Sequence, residues 1–166
     1  SYVALRYFNV AGADPAGRAG QLSKPATHLI KVAVEVATGQ RDAMQVFGID
    51  YPTDDGTCIR DYIHVTDLIA AHLAALEHLL SGGGSLTLNC GYGKGNSVHQ
   101  VLESVARLSG TNLNVEMAAR RAGDAAALVA DSTRLRSQLG WQPQYDDLDG
   151  IVRSALAWER SQVGNV

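Results

Sequence analysis

Ile59-Arg60-Asp61-Tyr62-Ile63-His64-Val65 runs directly into Thr66-Asp67-Leu68, and this stretch decides the fold. Ile59, Asp61, Ile63 and Val65 alternate with Arg60, Tyr62 and His64. This is the two-residue period of a strand, with Arg60 and Tyr62 on one face and Asp61 on the other. Thr66 is placed to cap a helix whose inward face reads Leu68, Ala71, His72, Ala75, Leu76 and Leu79, and Gly82-Gly83-Gly84 ends it. A strand that feeds a helix is the repeating unit of an α/β domain.

The same alternation extends in both directions. Val3 to Phe8 is a β-branched and aromatic strand followed by a long loop from Asn9 through Gly20. Nothing before this strand is available to pair with it, so a preceding element is expected. Leu29, Val32, Ala33, Val36 and Ala37 recur at helical spacing up to Gly39. Met44 to Gly48 is a short strand, and Ile49 to Thr57 is a loop rich in Asp, Pro, Thr and Gly. Beyond the triple glycine, Leu86 to Cys90 is a strand, and Ser97-Val98-His99-Gln100 is a capping box for a helix running to Gly110. Leu113 to Met117 is another strand. Asp131 caps a short helix ending at Gly140, and Asp146 or Asp147 opens the last helix, with Leu148, Ile151, Val152, Ala155 and Trp158 inward.

The 166 residues are 46% hydrophobic and 19% charged, with a net charge of -3, which suits one globular core and excludes disorder. Leu68 to Leu80 is interrupted by His72, Glu77 and His78 and falls short of the roughly 20 residues a membrane span requires. Ser1 to Arg6 has no secretory signature, so the expected location is cytoplasmic and no membrane is expected as a partner. Cys58 and Cys90 stand alone and read as buried apolar fillers. No Lys/Arg run exceeds Arg120-Arg121, which argues against nucleic acid as a partner but leaves room for a small dianion held by a few placed arginines.

Gly91-Tyr92-Gly93-Lys94-Gly95 imitates a dinucleotide loop, with Glu116 at a suggestive distance, but its third glycine comes one position early and the plain reading is a tight turn. His28, His64, His72, His78 and His99 lack metal-ligand spacing, so no metal is expected. Arg60 and Arg121 are the informative cations, because a guanidinium fork suits phosphate oxygens, and Asp124 three residues on is able to accept from ribose hydroxyls. Surface salt bridges are the bland alternative for both arginines.

Leu5-Arg6-Tyr7-Phe8-Asn9-Val10-Ala11-Gly12-Ala13, Gly56 to Leu68, and Arg120-Arg121-Ala122-Gly123-Asp124 occur in order, and together they resemble the UDP-glucose 4-epimerase family of extended short-chain dehydrogenases/reductases. The resemblance covers the family's C-terminal part. It implies that residues 1–20 end a Rossmann half, its sheet completed by the opening strand, and that residues 21–166 form a UDP-sugar-binding domain. The front, NAD-binding half is expected elsewhere, since neither Gly-x-x-Gly-x-x-Gly nor Tyr-x-x-x-Lys occurs in this sequence.

The implied reaction interconverts UDP-glucose and UDP-galactose through an NAD-dependent 4-keto sugar. This chain would grip UDP, hold no catalytic residue and be inactive by itself, within a homodimeric parent. By the resemblance Tyr7 and Phe8 lie near the nicotinamide, Asn9 meets the phosphate and sugar, and His28 and Leu29 touch the nucleotide sugar. Gln45, Val46 and Phe47 cradle the uracil, Arg60 and Arg121 clamp the diphosphate, Asp124 binds the ribose, and Tyr62 and Val98 line the pocket. Leu128 stands where sugar choice is set. Lys31, Ala122 and Ala125 replace prolines common in the family, which loosens the expected loop rigidity. Alternatives are a related UDP-sugar epimerase or dehydratase acting on a pentose or N-acetylhexosamine, or a non-catalytic fragment.

Overall fold

The computed structural model describes residues 1–23 and 25–163. The chain opens with β1 (Val3–Arg6) and β2 (Asn9–Ala11), then α1 (Leu29–Ala37), β3 (Met44–Phe47), β4 (Ile59–Arg60), β5 (Tyr62–His64) and α2 (Val65–Leu80). It continues with β6 (Leu86–Asn89), β7 (Asn96–Ser97), α3 (Val98–Ser109), β8 (Val115–Ala118), β9 (Ala127–Leu128), α4 (Thr133–Leu139) and α5 (Leu148–Gln162). β1 pairs in parallel with β6, β2 with β5, and β3 with β8, while β4 lies between antiparallel β7 and parallel β9. This is the α/β alternation expected from the sequence.

The core forms where α1, α3 and α5 pack on one another and on β2, β3 and β5. Ile30, Val34, Val101, Val105, Ile151 and Val152 are its tightly enclosed side chains. α1 is buried on every side from Ile30 to Val36, so Lys31 and Glu35 are enclosed as well and must be paired to be tolerated. Caps behave largely as local chemistry dictates. Ser97 and Gln100 complete the capping box of α3, and the Asp147 carboxylate accepts from the Gly150 amide.

Several expectations need correction. Asn9–Ala11 is a strand and not the start of a loop, and the opening strand is not left without a partner, because β6 supplies one. The Ile59–Val65 strand is two strands that change partners at Asp61, whose carboxylate is drawn away by backbone amides of Tyr92, Gly93 and Ala130. Thr66 does not cap α2: His64 does, through Nδ1 accepting from the Thr66 amide. Leu76 and His72 leave the inward face of α2. Leu68, Ala71 and Ala75 are the buried ones, and Leu76 is 51% exposed. α4 begins after Ser132 without a side-chain cap, although Asp131 accepts from Thr133 just ahead of it.

Candidate functional site

A cleft of about 590 Å³ opens between α1, the β3–β8 pair and the β4–β5 segment. Its floor is Asn9 and Tyr62, which are register neighbours in the parallel β2–β5 pair. Thr27, His28, Leu29 and Val32 form one wall at the start of α1, and Gln45, Val46 and Phe47 of β3 form the opposite one. Cys58, Arg60 and Val98 close the end beside β4, and Arg121 and Asp124 reach in from the loop after β8.

The charges here are few and well placed. The Arg60 side chain is only 13% exposed. Its Nη1 donates to the Ile59 and Ala125 carbonyls at 2.8 Å each, and its Nη2 lies 3.4 Å from the Asp124 carboxylate. Two neutral acceptors and one distant carboxylate hold the guanidinium without neutralising it fully. The Arg121 guanidinium carbon stands 3.7 Å from the centroid of the Phe47 ring. Burial pushes the Tyr62 phenol far above its ordinary range, so it presents a ring and an O–H to the cleft and not a phenolate. Burial likewise raises the Cys58 thiol, which keeps it neutral and inert.

Behind the cleft, two buried aspartates fix the backbone that carries Arg60 and Tyr62. Asp61 points away from the cleft and accepts from three main-chain amides, those of Tyr92, Gly93 and Ala130. Asp67 accepts from the Tyr92 hydroxyl and from the Gln144 and Tyr145 amides. The glycine-rich stretch from Gly91 is thus the counterpart of Asp61 and not a phosphate loop. A Cβ on Gly91 would stand 2.6 Å from the Asp61 carboxylate, which accounts for a glycine there.

The fold therefore gathers Asn9, His28, Leu29, Gln45, Val46, Phe47, Arg60, Tyr62, Val98, Arg121 and Asp124 around one cleft. Tyr7 and Phe8 do not line it. They follow β1 and are 43% and 39% exposed, with Tyr7 set edge-on to His72. Leu128 is the β9 register neighbour of Arg60 and also lies outside the cleft. Residues that the sequence reading did not assign to this cleft include Arg41, which is paired with Glu35, and Glu116, the register neighbour of Gln45. Glu116 reaches the cleft by strand pairing across 71 positions, and Arg41 by its ion pair with Glu35 and a hydrogen bond to the Ala26 carbonyl. Among the described residues no cluster of His, Cys, Asp and Glu is suited to hold a metal ion. No helix of the described residues is long and apolar enough to cross a membrane.

Parallel strand pairs alternating with helices define an α/β protein. Residues 1–91 match the NAD dependent epimerase/dehydratase family, and the chain belongs to it. Over 159 residues it is 60% identical to a UDP-glucose 4-epimerase of Azospirillum brasilense, covering 96% of this chain and 46% of that protein. The UDP-glucose 4-epimerase of Brucella ovis, solved in complex with NAD, superposes with a TM-score of 0.90 at 51% identity, covering 94% of this chain and 48% of that one. The enzyme of Bifidobacterium longum, solved with NAD+ and UDP, gives a TM-score of 0.89 at 36% identity over 99% of this chain and 49% of its own. The chain thus spans about half the length of the curated relatives it matches.

Proposed function

We propose that this chain is the UDP-sugar-binding portion of an NAD-dependent UDP-glucose 4-epimerase, the isomerase that inverts carbon 4 of the hexose. The reading rests on one observation: Arg60, Arg121 and Asp124 border the same cleft as Gln45, Val46 and Phe47. A strand presenting an aromatic ring and a side-chain amide suited to a base and two guanidinium groups suited to a diphosphate, with a carboxylate for a ribose, make up the chemistry of a nucleoside diphosphate.

In this role Arg60 and Arg121 bind the diphosphate, Asp124 accepts from the ribose hydroxyls, and the β3 edge holds the uracil. Asn9, His28, Leu29, Tyr62 and Val98 border the path toward the sugar, with Leu128 nearby to influence sugar choice. Holding the nucleotide firmly while leaving the hexose free is what inversion at carbon 4 demands, because the sugar must turn over between two hydride transfers. NAD, when bound, supplies the reversible hydride acceptor. Tyr7 and Phe8 offer two exposed aromatic edges that fit one side of a nicotinamide, and the remaining contacts are assigned to the NAD-binding half.

In this proposal residues 1–20 close the Rossmann half and residues 21–166 form the sugar-nucleotide domain. The 166 residues contain no Tyr-x-x-x-Lys, so this chain is inactive by itself. A cytoplasmic homodimer is the proposed context, and two unpaired, buried cysteines agree with a reducing compartment.

Calorimetry with UDP tests the reading. The chain should bind UDP, and Arg60→Ala should weaken binding by about 2 to 5 kcal/mol, because it removes a largely desolvated partner of the phosphates. Absence of UDP binding, or unchanged affinity in the variant, would overturn the assignment.

A further inference from the structure

The roles just assigned to Phe47 and Arg121 conflict in one respect. A base stacked on Phe47 needs the ring face, yet the Arg121 guanidinium already lies over that ring at 3.7 Å from its centroid. The contact is a favourable cation–π pair in a half-open setting, so whatever takes its place must repay its loss. Arg121 sits on an exposed loop beside Gly123, whose φ of 84° only a glycine adopts easily, and the Asp124 amide bonds back to the Arg121 carbonyl. The side chain is therefore anchored at its backbone while its guanidinium lies on the surface of the cleft against the Phe47 ring, and among the described residues no carboxylate forms an ion pair with it.

We propose that Arg121 is a specificity-determining residue that couples recognition of the base to recognition of the diphosphate. A base arriving at Phe47 displaces the guanidinium, and a diphosphate on the same ligand receives it. A nucleoside without phosphates pays the displacement and recovers nothing. Pyrophosphate without a base meets an arginine still held on the ring. Selectivity for a nucleoside diphosphate then exceeds what independent base and phosphate subsites provide. Arg60 plays no part in this coupling, because the Ile59 and Ala125 carbonyls fix its guanidinium away from the ring.

This inference rests on the nucleotide-binding reading above, and the experiment separates the two. Affinities for UDP and for uridine are measured on the 166-residue chain, on Arg121→Gln and on Arg121→Lys, by calorimetry for UDP and by ligand-observed NMR for uridine. An exposed loop residue leaves the fold intact, which circular dichroism verifies. Coupling requires effects of opposite sign. Arg121→Gln should bind UDP about tenfold or more weakly, having lost a charged phosphate partner, and uridine about three- to tenfold more tightly, because the ring is freed. Arg121→Lys, which keeps a cation able to rest on the ring but lacks the planar fork, should lose less UDP affinity and leave uridine affinity between those of the unmodified chain and Arg121→Gln. If UDP binding weakens and uridine binds no better to either variant, including no detectable binding to any form, coupling is refuted while the nucleotide site stands. If the unmodified chain binds no UDP, the functional reading itself fails.

Discussion

His64 is wholly buried, and both of its ring nitrogens are committed. Nδ1 accepts from the Thr66 amide, so Nε2 carries the proton and faces the Ser154 hydroxyl at 3.1 Å. The ring stacks on Tyr145 with centroids 4.5 Å apart. Desolvation outweighs the pull of Asp67 and Asp14 and lowers its pKa below the ordinary value. The sign follows from proton linkage. Below the unfolded pKa of about 6.5 the unfolded chain takes up a proton that the folded chain refuses, so stability is full above that pH and falls as pH drops through it. Denaturant midpoints measured from pH 7.5 to 5.5 should therefore decline, and His64→Gln should flatten part of that decline. An identical slope in the variant would show that this imidazole does not carry the effect. The capping role of His64 was invisible in the sequence, because imidazole is not among the residues that helix starts favour.

At the scale of elements, α1 forms the cleft wall, and a buried ion cluster ties it to α5. Lys31 Nζ lies 2.5 Å from Glu159 and 3.4 Å from Glu35, Arg41 holds the other side of Glu35 at 3.1 Å, and Gln40 donates to Glu159. A tether across 128 positions thus fixes the start of α1 against α5. Lys31→Met leaves the Glu159 carboxylate buried with only an amide partner and should cost about 3 to 5 kcal/mol in urea denaturation, while adding Glu159→Leu should restore much of that loss. A double variant no better than the single one would mean that packing, and not charge, is responsible.

The loop at Ala125 is anchored in a similar way, since its carbonyl accepts from Arg60 across 65 positions. Helical spacing, the capping box and the Arg60–Tyr62 face could all be read because each depends on neighbours in sequence. The break at Asp61, the register of Gln45 against Glu116 and the enclosure of Lys31 could not, because each is set by groups contributed from far along the chain.

For the whole molecule, the surface is as informative as the core. Ile69, Leu73, Leu76 and Leu80 recur at helical spacing along α2 and are 52%, 55%, 51% and 78% exposed. Among the described residues β1 pairs only with β6, and Tyr2, Tyr7 and Phe8 are exposed around it. A contiguous apolar helix face beside a singly paired strand is the kind of surface that soluble proteins cover. In the 166-residue chain it should drive self-association. No residue of α2 lines the nucleotide cleft, so surface and site are separable by mutation. Leu73→Lys combined with Leu76→Lys should reduce self-association in sedimentation velocity at high concentration and leave UDP affinity within about twofold, as expected for distant, independent positions. A chain that is monomeric before the substitutions would remove this face as an interface, and a loss of UDP affinity would show that it supports the cleft after all.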